Sequence, residues 1–131
     1  PLNSWYVAVC SHVAGRREPL ARMVCNKRIV LLRKADGTIA ALEDACWHRL
    51  LPLSMGWLEG DEVVCRYHGL AFDGIGQCTR MPSQDKTNPV ARVRAYPVLE
   101  QYRFVWVWPG DPANPSGMRP ASAQNMSPKP R

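Results

Sequence analysis

Ala41-Leu42-Glu43-Asp44-Ala45-Cys46-Trp47-His48-Arg49 is followed, with sixteen residues between His48 and Cys65, by Cys65-Arg66-Tyr67-His68-Gly69. Each run leaves an apolar stretch and enters a turn-rich segment, so the pattern predicts two loops carried on strands. Outward from these loops, the chain up to Trp108 is a series of short apolar runs broken by turn residues, as in a small antiparallel β protein. Strands are expected at Trp5 to Val9, Ala21 to Cys25, Arg28 to Arg33, Ile39 to Glu43, Glu62 to Cys65, Gln77 to Arg80, Val93 to Glu100 and Arg103 to Trp108. Ala35-Asp36-Gly37 and Asp73-Gly74-Ile75-Gly76 supply hairpin turns, because glycine accepts the positive φ that tight turns demand. Phe104, Trp106 and Trp108 alternate with Val105 and Val107, and a strand apolar on both faces is expected to be central. No helix of useful length and no internal repeat is found. The fold class is all-β.

The 131 residues, 46% of them apolar, suffice for one core. The 17 basic and 11 acidic groups divide as seven and four over 1–45, seven and six over 46–108, and three and one over 109–131. No basic stripe forms, and no aromatic residues interleave with the Arg16-Arg17 and Lys27-Arg28 doublets, so nucleic-acid binding is not expected. The longest apolar runs, Ile29 to Leu32 and Phe104 to Trp108, fall short of the roughly 20 residues of a membrane helix. Without a secretory pattern after Pro1, a cytoplasmic location away from membranes is the expectation. Six of the twelve prolines lie in 109–131, where Met118 and Met126 are the only large apolar residues. The expected organisation is therefore a folded domain over 1–108 and a disordered Pro-rich tail over 109–131.

Cys-x-His and Cys-x-x-His offer one thiolate and one imidazole per loop. A Rieske-type [2Fe-2S] cluster needs that donor set, with two thiolates on one iron and two imidazoles on the other. Cys46 and Cys65 then take the inner iron, and His48 and His68 the outer, nearer solvent. A zinc site usually pairs like with like along the chain, so zinc fits less well, and a non-redox Cys/His zinc module stays as an alternative. Four satisfied core residues would require both pairs to arise by coincidence. Cys10, Cys25 and Cys78 are read as small buried hydrophobes, and His12 is assigned no function.

On these residues the chain resembles the Rieske domain of the Rieske non-haem iron aromatic oxygenases, over most of 3–112. The likeness is to the oxygenase components of the vanillate O-demethylase, dicamba demethylase and toluenesulfonate methyl-monooxygenase group. It is carried by Ala41 to Arg49 with Pro52-Leu53-Ser54, Cys65 to Leu70, Phe72 to Cys78, and Val105 to Asp111. The resemblance implies a Rieske-type antiparallel β-sandwich with two cluster-binding hairpin loops, holding one [2Fe-2S] cluster. It further implies an iron-sulfur component of an aromatic-compound monooxygenase of the O-demethylase or methyl-hydroxylase type, in a bacterial cytoplasm. Electrons would come from a flavin and iron-sulfur reductase using NAD(P)H and pass to a mononuclear oxygenase iron. That iron takes two His and a carboxylate in the family, and only His12 remains outside the cluster set. The expectation is a truncated oxygenase subunit with no catalysis of its own; a stand-alone Rieske ferredoxin is the alternative.

Trp47 departs from this group, where Pro is commoner at that position. High-potential Rieske proteins resemble the pattern too, but bridge the loops by a disulfide and place a hydroxyl beyond the second His. Leu51, Tyr67 and Leu70 stand at those positions here, which points to a low potential. Leu50, Leu51, Leu53 and Leu70 are expected either to pack the loops together or, with Arg49 and Arg66, to form a docking surface.

Overall fold

The computed structural model describes residues 2–49, 51–82, 90–111 and 113. They form eleven strands: β1 (Tyr6–Cys10), β2 (Leu20–Val24), β3 (Lys27–Arg33), β4 (Ile39–Glu43), β5 (Trp57–Glu59), β6 (Glu62–Val64), β7 (Ala71–Phe72), β8 (Cys78–Arg80), β9 (Ala95–Tyr96), β10 (Val98–Gln101) and β11 (Phe104–Val107). The helical segments among these residues are single 3-10 turns at Ser11–Val13 and Leu53–Met55. The all-β, antiparallel expectation holds. The strands sort into a three-stranded sheet ordered β1-β11-β10 and two four-stranded sheets ordered β2-β3-β4-β9 and β5-β6-β7-β8. β11 is central in its sheet, as its apolar alternation predicts.

The β2-β3-β4-β9 sheet lies between the other two, which explains the unbroken apolar run of β3. Val30, Leu32, Ala40 and Leu42 pack with Val63, Phe72 and Cys78 of the β5-β8 sheet. Ile29, Leu31, Ile39 and Ala41, from the same two strands, pack with Val9, Val105 and Val107 of the β1-β11-β10 sheet. A strand buried on both faces has no polar alternation to display. Arg33, at the end of β3, joins this middle sheet to its neighbour. Its guanidinium meets Glu100 of β10 through two bonds of 2.7 and 3.0 Å and donates to the carbonyls of Ser11, Ala14 and Gly37.

One expected strand differs, and two strands appear that the sequence pattern does not predict. The run Val93 to Glu100 is broken at Pro97, which has no N–H to give a ladder, and the chain passes there from the middle sheet into the three-stranded one. Strands β5 and β7, three and two residues long, are too short to register as a period. Beyond Trp108 the chain stays tied to the body through Asp111. Arg94 donates to the carbonyls of Pro109 and Gly110, Trp108 Nε1 to that of Asp111, and Asp111 N to Asn3 Oδ1. The rest of the expected tail lies, apart from Ala113, outside the described residues.

Candidate metal centre

The two loops leave the same core from different sheets. The first runs from β4 in the middle sheet to β5 in the outer one; the second is a true hairpin loop between β6 and β7. Their backbones repeat one device. Cys46 N donates to Leu51 O at 3.0 Å and Cys65 N to Leu70 O at 2.7 Å, five residues on in each case. Each cysteine carbonyl then accepts an amide from within its own loop, from Arg49 at 2.7 Å and from Gly69 at 3.1 Å. The chain doubles back over its cysteine, and the following histidine rides outward. Left-handed backbone completes both bends, with φ of 67° at Arg49, 68° at His68 and 70° at Gly69. The two non-glycine cases carry a cost of about 1 kcal/mol each, the kind of local strain concentrated at functional sites.

Cys46 Sγ, Cys65 Sγ and a ring nitrogen of His48 all lie within 4.8 Å of one another. His48 Nε2 is 3.3 Å from Cys65 Sγ, so the contact crosses between loops. His68 is outside that trio but beside it, its ring centroid 6.2 Å from that of His48 and nearly perpendicular to it. Both cysteines are fully buried, His48 is half-buried and His68 exposed, the expected order from core to solvent. Burial, reinforced by the neighbouring Cys65 thiol, pushes the Cys46 thiol up to about 12. Such a thiol ionises only when a cation displaces its proton, which suits a metal ligand sealed from water. Two buried thiols beneath two outward imidazoles fit the donor set of a [2Fe-2S] cluster with mixed ligation.

The sequence reading assigns no contacts to several neighbours. Asp44, the only buried charged residue among those described, accepts the amide and hydroxyl of Ser54 at 2.7 and 2.6 Å and closes the base of the first loop. Glu43 binds Arg49 through Oε2 and accepts Arg94 N through Oε1. Tyr67 packs beside both imidazoles, 3.8 Å from His68 and 5.3 Å from His48 by ring centroid. Gly56 ends the first loop against β6, where an added Cβ would meet Val64 O at 1.7 Å. Of the four leucines, Leu53 and Leu70 are buried, Leu51 is partly buried against the core, and Leu50 lies outside the described residues. Leu51, Leu53 and Leu70 pack the loops together, and among the described residues the exposed apolar groups at the tip are Trp47 and Tyr67. Cys78 is buried as expected, Cys25 only partly, and Cys10, at the solvent side of β1, is exposed.

Residues 4–102 match the model of the Rieske [2Fe-2S] domain, and the chain belongs to that family. It is a Rieske [2Fe-2S] protein, and its relatives are oxygenase components. It is 45% identical to a "putative toluene-4-sulfonate monooxygenase system iron-sulfur subunit" of Comamonas testosteroni, over 85% of this chain and 32% of the relative. It is 44% identical to the oxygenase component of dicamba O-demethylase from Stenotrophomonas maltophilia, again over 85% of this chain and 33% of the relative. A crystal structure of dicamba monooxygenase superposes with a TM-score of 0.80 at 43% identity, covering 85% of this chain and 34% of that one. The chain thus spans about a third of the length of the relatives it matches.

Proposed function

We propose that Cys46 and Cys65 hold the inner iron and His48 and His68 the outer iron of the [2Fe-2S] cluster, and that the chain passes single electrons within an aromatic-compound monooxygenase system. The observation that carries this reading is the meeting of Cys46, His48 and Cys65 within 4.8 Å across two loops, with His68 alongside at the surface. When bound, the cluster supplies a one-electron couple. The cysteine thiolates fix it in the dry interior; the imidazoles form its solvent-facing edge, where a partner approaches; Tyr67 and Trp47 shield that edge. The donor in this reading is a flavin and iron-sulfur reductase drawing on NAD(P)H, and the acceptor is a mononuclear oxygenase iron outside these 131 residues. The proposed setting is the bacterial cytoplasm; among the described residues no helix is long and apolar enough to cross a membrane.

The test is metal and sulfide analysis with electron paramagnetic resonance of the dithionite-reduced protein. Two irons and two sulfides per chain with a Rieske-type signal are expected, and Cys46→Ser or Cys65→Ser should abolish both. Zinc without iron, or a four-thiolate type of signal that survives His68→Ala, overturns the ligand assignment.

A further inference from the structure

The two histidines are not held alike. Both loops bend through left-handed backbone three residues past their cysteine, at Arg49 (φ 67°) and at His68 (φ 68°). Cys-x-His therefore carries its imidazole ahead of the bend, whereas Cys-x-x-His carries it on the bend, where a Cβ is disfavoured. His48 is half-buried and lies with the two thiols in one group within 4.8 Å, its Nε2 3.3 Å from Cys65 Sγ. The backbone around it is secured: Arg49 N donates to Cys46 O at 2.7 Å, the Arg49 guanidinium binds Glu43, and Asp44 clasps Ser54 at the base of the loop. His68 is exposed and outside that group, and its ring rests on Tyr67, itself exposed, at 3.8 Å between centroids. Three donors are thus gathered by the packing of the chain, and the fourth stands at the surface on backbone that glycine would adopt more readily.

We infer that His68 is the exchangeable ligand of the outer iron, the donor that closes the site last and whose place an outside neutral nitrogen ligand of the imidazole class takes, an inference that rests on the ligand assignment proposed above. The contacts that orient a ligand set how firmly it holds its metal, and they are many for His48 and few for His68. An outside ligand also reaches a surface position without any opening of the core. In the exchange one iron–nitrogen bond breaks and one forms. A neutral imidazole replaces a neutral imidazole, so no electron or proton is transferred and the charge of the cluster stays the same.

The test compares His68→Gly with His48→Gly in the full chain, each loaded with iron and sulfide in buffer with and without free imidazole, and reads bound iron and the electron paramagnetic resonance of the reduced protein. His68→Gly should lose the Rieske-type signal without imidazole and regain most of it with imidazole. His48→Gly should lack the signal in both buffers. Equal rescue of the two variants, rescue of His48→Gly alone, or a folded His68→Gly that stays without signal in imidazole overturns the inference. A second measurement needs neither variant: the loaded parent is held in excess imidazole labelled at nitrogen, and pulsed resonance should show the label at one of the two coordinated nitrogens. Label at both, or at neither, also overturns the inference. Absence of a Rieske-type signal in the parent before imidazole is added would instead be a failure of the ligand assignment itself.

Discussion

Asp44 and Ser54 sit ten residues apart, and between them lies the whole segment that carries Cys46 and His48. Charge-assisted bonds to a carboxylate contribute about 1.5–3 kcal/mol each where water is excluded. Asp44→Ala is therefore expected to cost about 2–4 kcal/mol, since it leaves the Ser54 amide and hydroxyl without their acceptor; Asp44→Asn, which keeps one acceptor oxygen, should cost less. Denaturant unfolding of the metal-free chain measures the loss, and equal stability of Asp44→Ala and parent would show that the clasp is idle. This pair has no signature in sequence, because an acid and a serine ten positions apart belong to no period. The Cys and His residues were legible because their spacing alone carries donor chemistry. Their surroundings also bear on the potential: Leu70 and Leu51 offer no hydroxyl and no disulfide near the two thiols, and the described cysteines are all free. With fewer donors to stabilise the reduced state, the midpoint potential is expected in the lower part of the roughly −150 to +300 mV range of Rieske centres. A redox titration giving a value near the top of that range would refute the argument.

Among the elements, the turns separate what sequence reveals from what it hides. Gly37 and Gly76 adopt φ of 90° and 85° where Asp-Gly and Gly-x-Gly patterns place turns. Gly76 is required twice over, since a Cβ there would meet Val93 O at 2.2 Å. The β10–β11 hairpin carries no such mark. Its two turn residues, Tyr102 and Arg103, both take left-handed backbone, with φ of 55° and 66°, the geometry of a type I′ turn that Asn-Gly normally fills. The hairpin forms because Val105 and Val107 are fully buried, so tertiary packing overrides a poor turn. Replacing the pair, Tyr102→Asn with Arg103→Gly, should stabilise the chain by about 1 kcal/mol or somewhat more. Thermal unfolding would register a higher midpoint, and a lower one would mean that the Tyr102 ring contributes more than its backbone costs. The same logic explains the missed strands. β5 and β7 exist because β6 and β8 pair with them beneath the loops, a non-local cause invisible in runs of two or three residues.

At the scale of the molecule, three stacked sheets create two cores that share β3 and β4, and the upper core ends in the buried cysteines. A metal ligand set is thereby built into the same packing that stabilises the fold, which predicts how stability responds to alkali. Burial pushes the Cys78 thiol and the Tyr96 hydroxyl above their ordinary ranges, with Arg94 only partly offsetting the effect at Tyr96. In the unfolded chain the same groups lose their protons near about 8.5 and about 10. Below these values both states hold the protons, and the contribution to stability is fully present. Above them the unfolded state binds fewer protons than the folded one, so stability falls as pH rises, until the folded groups titrate as well. Melting of the metal-free chain should accordingly drop between pH 8 and pH ~10.5. Tyr96→Phe should flatten the part of the fall above pH ~10, and Cys78→Ala the part that begins near ~8.5. A slope untouched by both substitutions would place the alkaline sensitivity elsewhere than in Cys78 and Tyr96, with the buried Cys46 thiol the next group to test.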